Sequence, residues 1–246
     1  MAKSTNEEQI DIPYNLKQWQ DYPVGTYKKN TKGIKEAIET TMGRLTRIVP
    51  SIKKSSKLLV FSSGSSYVPI YLAVHSGCKI ECIANSDKAS KKIVKDVKEL
   101  GLEDNITVAS KPFSKTLFHR NTFDMVWSVA ESYQDDEALD VFREVARVLV
   151  PEGRYILCHQ FRSEENDHED FAHLAIVENF LHKASNVDLE RVYVKELKNE
   201  TVKHLKAFLK HKDTPSKEKK ILEKFLDSSE LDQLVWAFLV FQKRNI

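Results

Sequence analysis

The 246 residues carry 38 basic and 36 acidic side chains, a formal charge of +2, and are 41% hydrophobic and 30% charged. Such a composition suits a globular chain that buries one core, and the near-balanced charge leaves no whole-molecule field to draw it to nucleic acid or an anionic membrane. No apolar run approaches the roughly 20 residues that a membrane-spanning helix needs, and the opening MAKSTNEEQIDIP is polar, so a cytoplasmic protein is expected, with no membrane or nucleic-acid partner.

The first regular element is the apolar run 57–61, Lys-Leu-Leu-Val-Phe, which stops at Ser62-Ser63-Gly64-Ser65-Ser66 and reads as a buried strand ending in a tight loop. A helix over 67–76 follows, then a strand over 79–84, an amphipathic helix over 87–100 closed by Gly101, and a strand over 106–109. The alternation continues with a strand over 123–128, a helix over 137–149 stopped at Pro151, and a strand over 154–158. Strands that mostly alternate with helices predict a parallel, doubly wound sheet, with any ligand at the carboxyl ends of the strands.

Beyond Gln160 the rhythm breaks. Residues 162–170 form a polar acidic loop, 171–183 a helix, 191–197 a strand, and 201–227 lysine-rich helical sequence around Pro215. Leu234 to Phe241 is a near-continuous apolar run that fits a strand inside the sheet. Cys78, Cys82 and Cys158 each lie in an apolar stretch, where a free thiol behaves as a small hydrophobe, and the spacing offers no metal-ligand pair. Reduced thiols and no metal are expected.

Phe123-Asp124-Met125-Val126-Trp127-Ser128, followed by Val141-Phe142-Arg143-Glu144-Val145-Ala146-Arg147-Val148-Leu149-Val150-Pro151-Glu152-Gly153-Arg154, resembles the fourth and fifth strand region of class I S-adenosylmethionine-dependent methyltransferases. With Gly101 to Val108, the closing Leu234-Val235-Trp236 and the Asp21 to Tyr27 segment, which is similar to a D-x-H-V-G-x-Y lid, the likeness points to the sarcosine and dimethylglycine N-methyltransferase branch. It implies an α/β fold, a doubly wound and mainly parallel seven-stranded sheet of Rossmann-like type. The whole of 1–246 would form one domain, with N-terminal lid helices over 1–50, the core over 57–160, a helical cover over 161–230 and the final strand over 231–246.

The resemblance also implies a cofactor pocket, and here the residues depart from the family's pattern. Where the family has an acid beneath the cofactor's ammonium end this chain has Val60. Of the glycines that pass under the methionine part only Gly64 is kept, with Ser62, Ser66 and Tyr67 at the flanking places. The ribose-binding position is Ala84, with Asn85 one place later on the opposite pleat. Pro112 stands before Phe113 where a polar residue holds the adenine amino group, and proline supplies neither side-chain acceptor nor amide donor. After Val129 the family's Asp and His have become Ala130 and Gln134, and the lid His has become Pro23. Each lost polar anchor is worth about 1–3 kcal/mol. Tyr67, Phe113 and Tyr133 are bulky, so aromatic side chains are expected to occupy part of the cleft.

Other constellations carry less. His168, Glu169, Asp170 and His173 fit a solvated loop better than a metal site, because histidines five apart do not share a helix face. The lysines of 195–224 alternate with apolar residues at helical spacing and read as the wet face of an amphipathic cover. Trp19, Tyr22 and Tyr27 read as lid packing rather than a cation–π surround. The expectation is therefore a methyltransferase-fold protein that has lost S-adenosylmethionine binding and catalysis. It would have no cofactor and no assigned catalytic residue, and would act as a homo- or hetero-oligomeric partner of an active methyltransferase. The alternative is an active S-adenosylmethionine-dependent N-methyltransferase of a small amine such as a glycine derivative.

Overall fold

The computed structural model describes residues 23–129, 137–164, 171–230 and 233–245. In chain order it places α1 at Ile34–Arg47, β1 at Lys57–Ser62, α2 at Tyr67–Ser76, β2 at Lys79–Ala84, α3 at Asp87–Glu99, β3 at Ile106–Ser110 and β4 at Phe123–Val129. Next come α4 at Ala138–Val148, β5 at Leu149–Arg162, α5 at Val177–Ser185, β6 at Leu189–Glu196, α6 at Lys198–Lys210, α7 at Ser216–Glu230 and β7 at Leu234–Lys243. The seven strands form one sheet in the order β3-β2-β1-β4-β5-β7-β6. The first five run parallel, and β7 lies antiparallel between β5 and β6. The expected doubly wound, mainly parallel seven-stranded fold is present, and its order reverses between β1 and β4.

Burial of both sheet faces explains the unbroken apolar runs. Leu58, Val60, Cys82, Trp127, Ile156 and Phe238 pack on the side that carries α1, α2, α3, α6 and α7. Leu59, Phe61, Val126, Tyr155, Leu157 and Phe241 pack on the other, against α4 and α5. The same alternation sends neighbouring residues of β1 to opposite faces, which fixes where Val60 points. Cys78, Cys82 and Cys158 are free and buried, as expected of core thiols.

Helix ends follow local chemistry. Ser86 caps α3 by accepting from the Ala89 amide at 3.2 Å, and α2 closes on Gly77 in the left-handed region. Three elements differ from expectation by more than two residues. β5 starts at Leu149, five residues before Arg154, because Leu149 is already extended (ψ 141°) and pairs with Phe123. α5 starts at Val177 and not at Phe171, since Ile176 bridges Arg162 and Phe171 turns inward to pack edge-on to Phe225 at 4.8 Å. The lysine-rich stretch splits at Pro215 into α6 and α7, whose Leu205, Phe208, Leu222 and Phe225 are buried.

Among the described residues no helix is long and apolar enough to cross a membrane, and no group of three or more His, Cys, Asp or Glu side chains could hold a metal.

Candidate functional site

The carboxyl ends of β1, β2 and β3 meet at the loop 63–66, the segment after β2 and the segment after β3, next to the point where the strand order reverses. The β1 loop is closed on itself by its serines. Ser62 Oγ donates to the Ser65 carbonyl at 2.7 Å and accepts from the Gly64 amide at 3.2 Å, and Ser65 Oγ accepts from the Tyr67 amide at 3.3 Å. Ser66 Oγ donates to Asp96 Oδ2 at 2.5 Å. Gly64 holds φ 137°, which L side chains rarely adopt, while a Cβ there would meet nothing nearer than the Ala89 Cβ at 3.6 Å. The glycine is thus required by conformation, while a Cβ there would make only ordinary contact with Ala89.

Val60 is fully buried, paired with Cys82 on one side and Trp127 on the other. Ala84 is also fully buried, paired with Ser62 and Ser110, and Val129 at the end of β4 is 1% exposed. These three face the core. Tyr67 is buried with them and tilts against Tyr71 at 5.9 Å.

Asn85 behaves differently. One residue past the strand, it is exposed and donates through Nδ2 to Ser63 Oγ at 3.1 Å. With Pro112, Phe113, Ser114, Glu137, Asp140 and Val141 it lines a cavity of about 360 Å³. Phe113 does not block it, because its ring stacks on Phe61 at 4.7 Å with an interplanar angle of 17° and forms the floor. The aromatic filling expected of the cleft is therefore incomplete: Tyr67 and Phe113 are packed into the core, yet a nucleoside-sized space remains over Asn85. Tyr133, like Ala130 and Gln134, lies outside the described residues, as do Trp19, Tyr22, His168, Glu169 and Asp170.

Of the expected site residues, the structure brings Asn85, Pro112 and Phe113 together at this cavity and sets Val60, Ala84 and Val129 in the core on the other face of the sheet. Glu137 and Asp140 were not foreseen. They stand at the start of α4, with Asp140 held by Arg143 at 2.9 Å. The signal was available, since Glu137, Asp140 and Val141 at i, i+3 and i+4 share one helix face beside the strand ends.

The lid-like segment is anchored from the cover. His204 on α6 accepts the Gly25 N–H at Nδ1 (3.0 Å), and Tyr27 Oη lies 3.2 Å from the same nitrogen. Gly25 is needed by close approach, as a Cβ would lie 2.8 Å from both His204 Nδ1 and the Ala37 Cβ. Burial lowers the His204 pKa to about 3 and raises that of the Tyr27 phenol. Thr41 Oγ1 donates to the Val24 carbonyl at 2.6 Å and fixes the segment to α1. On the other face His159, also lowered to about 3 by burial, lies 3.2 Å from Ser128 Oγ. Both imidazoles are neutral structural groups at neutral pH.

Comparison with known proteins adds what the chain is similar to. Residues 59–153 match the family model "Methyltransferase domain". A glycine/sarcosine/dimethylglycine N-methyltransferase of Actinopolyspora halophila is 27% identical over 159 residues, 65% of this chain and 28% of that protein. The chain's matches span between 28% and 58% of the length of the first curated relatives on that branch. Among solved structures, a Galdieria sulphuraria protein assigned to the sarcosine dimethylglycine methyltransferases superposes with a TM-score of 0.80, 21% identity, and coverage of 90% and 93% of the two chains. Geranyl diphosphate C-methyltransferase from Streptomyces coelicolor A3(2), solved with S-adenosyl-L-homocysteine, gives 0.76 at 13% identity, covering 90% of each chain. The chain is a class I methyltransferase-fold protein. Within that class its sequence resemblance is to the sarcosine and dimethylglycine N-methyltransferase branch.

Proposed function

We propose that this chain is an S-adenosylmethionine-dependent methyltransferase acting on the nitrogen of a small amine, with the nucleoside part of the cofactor in the cavity over Asn85. The observation that carries the reading is that cavity, open at the carboxyl ends of β2 and β3, where an open α/β sheet takes its ligand. The wall chemistry suits a nucleoside. Asn85 offers an amide to ribose hydroxyls, Phe113 and Val141 supply apolar faces, and the Glu137 and Asp140 carboxylates accept from an exocyclic amine. The methionine end fits less well, since Val60 gives its ammonium no partner and the Ser62 and Ser65 hydroxyls are engaged within the loop.

When bound, the cofactor supplies a methyl group already activated by its sulfonium. A neutral amine then needs mainly to be held in line with it, and no side chain is assigned as a base. The chain's contribution is position: His204 and Thr41 hold the segment 24–27 against α1 and α6.

A second reading is favoured by one observation, the sealing of Val60. In that reading the chain has lost cofactor binding and acts in the cytoplasm as a partner of an active relative. Calorimetric titration with S-adenosylhomocysteine separates the two. The first expects binding in the wild type that weakens about 3- to 10-fold in Asn85→Ala, the loss of one or two neutral hydrogen bonds. Absence of heat up to millimolar ligand overturns it in favour of the second.

A further inference from the structure

At the opposite end of the sheet from that cavity lies a larger one of about 570 Å³. Its wall is drawn from the segment before β4, the C-terminal end of α4, the start of β5, the turn before β6 and the end of β7. We propose that this cavity is a binding site for a phosphorylated small molecule, separate from the candidate methyl-transfer site.

Charge is the first ground. Arg120, Arg143, Arg147, Lys243 and Arg244 line the cavity against a single acidic wall residue, Asp188. Arg143 is paired with Asp140 at 2.9 Å and Arg147 with Glu144 at 2.8 Å. After those pairs and Asp188 are set against the cations, two positive charges remain, as many as the formal net charge of the whole chain. Arg120 and Arg244 are exposed and form no ion pair among the described residues. Paired guanidinium forks bind phosphate oxygens well because they match them in geometry and charge.

Fixed geometry is the second. Arg147 is gripped at two points, Nε to Glu144 Oε2 and Nη2 to Glu144 Oε1, both 2.8 Å, and Glu144 is itself held by the Thr116 amide at 2.8 Å. Lys243 Nζ donates to Asn121 Oδ1 and to the Leu149 carbonyl, each at 2.7 Å. That lysine bond and the Arg147 position answer the carbonyls at the end of α4, so helix-end compensation accounts for them. It does not account for Arg120 and Arg244. Burial, and next the charge of Arg120, lower the Lys243 pKa, with Asp188 opposing. A bound anion would relieve that crowding of cations.

Inorganic pyrophosphate is the probe, titrated into the full chain at about 50 mM salt, where exposed charges are not fully screened, and followed by calorimetry and by amide NMR shifts. Wild type is expected to bind with shifts at Asn121, Asn186, Val187 and Asp188. The doubly reversed variant Arg120→Glu/Arg244→Glu is expected to bind about tenfold more weakly or not at all, with an unchanged melting temperature because both side chains are exposed. Lys217→Glu/Lys220→Glu, two exposed residues on α7, is expected to bind as wild type does. No binding by wild type, equal binding by the Arg120/Arg244 variant, or an equal loss in the α7 variant would overturn the proposal. Shifts confined to Asn85 and the 112–114 loop would overturn it as well, and would assign the anion to the other cavity.

Discussion

Substituting Val60→Asp restores the family's acid in a place the fold has closed. The Val60 side chain is fully buried between Cys82 and Trp127 and packs with Leu58, Ala84 and Val129 on one face of the sheet. An aspartate there would have its charge in the core with no cation beside it. An uncompensated buried charge costs about 3–5 kcal/mol, and for a chain of this size about 2–4 °C of melting temperature goes with each kcal/mol. A fall of about 6–20 °C at pH 7.5 is expected, read by calorimetry or circular dichroism. The sign of the pH dependence follows from burial. The carboxyl's folded pKa lies above its unfolded value near about 3.9, so the charge penalty is absent below that value. It grows as pH rises from the unfolded toward the folded pKa, and is complete above it. Val60→Asn, of the same shape and without charge, should show no such pH dependence, and the two variants should converge at low pH. If Val60→Asp melted within about 2 °C of wild type at pH 7.5 and bound S-adenosylhomocysteine more tightly, position 60 would open onto the ligand and the reasoning would fail.

Gly25→Ala puts a methyl group 2.8 Å from both Ala37 Cβ and His204 Nδ1, and overpacking of that kind costs about 1–3 kcal/mol, to be seen as a lower urea midpoint; an unchanged midpoint would mean that the segment is not held as described. Glu144→Ala strips both bonds from Arg147 and two from Thr116 at a residue only 8% exposed, so a loss of about 3 kcal/mol is expected, whereas Glu144→Gln keeps the Thr116 acceptor and should lose less. The Glu144 carboxyl is pushed up by burial but pulled further down by Arg147 and Thr116, so its contribution is present above the unfolded pKa and lost as pH falls. His204 and His159 have folded pKa values of about 3, below the free value, so stability present above about pH 6.5 is lost as pH falls toward 3. His204→Gln should reduce the protons taken up on unfolding near pH 5 by about one, measured from urea unfolding against pH; an unchanged pH slope would contradict a neutral buried imidazole.

The strands were legible because each is an apolar run with turn residues at its end, and both sheet faces are covered. Leu58 to Phe61, Phe123 to Ser128 and Leu234 to Phe241 all read as buried strands and, Asp124 apart, are. The helices were legible where the 3.6-residue period is clean, as in Ala89, Ile93 and Val97 of α3. Boundaries were not legible where a tertiary contact outweighs local preference. Phe171 has the sequence context of a helix, yet it turns in to meet Phe225, which is 54 residues away and invisible to any local window. The start of β5 at Leu149 likewise depends on its pairing with Phe123.

The site was half legible for a related reason. Aligning family positions one by one marks Val60 and Ala84 as lost anchors, and in the structure both side chains face the core. It cannot show that the ligand space is bounded by other residues. Asn85 lies just past the last β2 residue paired to β1, so its side chain is free to turn toward the Ser63 hydroxyl without turning over the strand register that Cys82 and Ala84 keep. Glu137 and Asp140 escaped notice because α4 reads as scaffold, and only the closed sheet brings its first turn over the ends of β2 and β3. Loss of a motif residue from a strand therefore says that the core has closed at that point. Whether the pocket above has closed depends on the residues one step beyond the strand and on the helix end that faces them, and here those residues leave a polar-walled space.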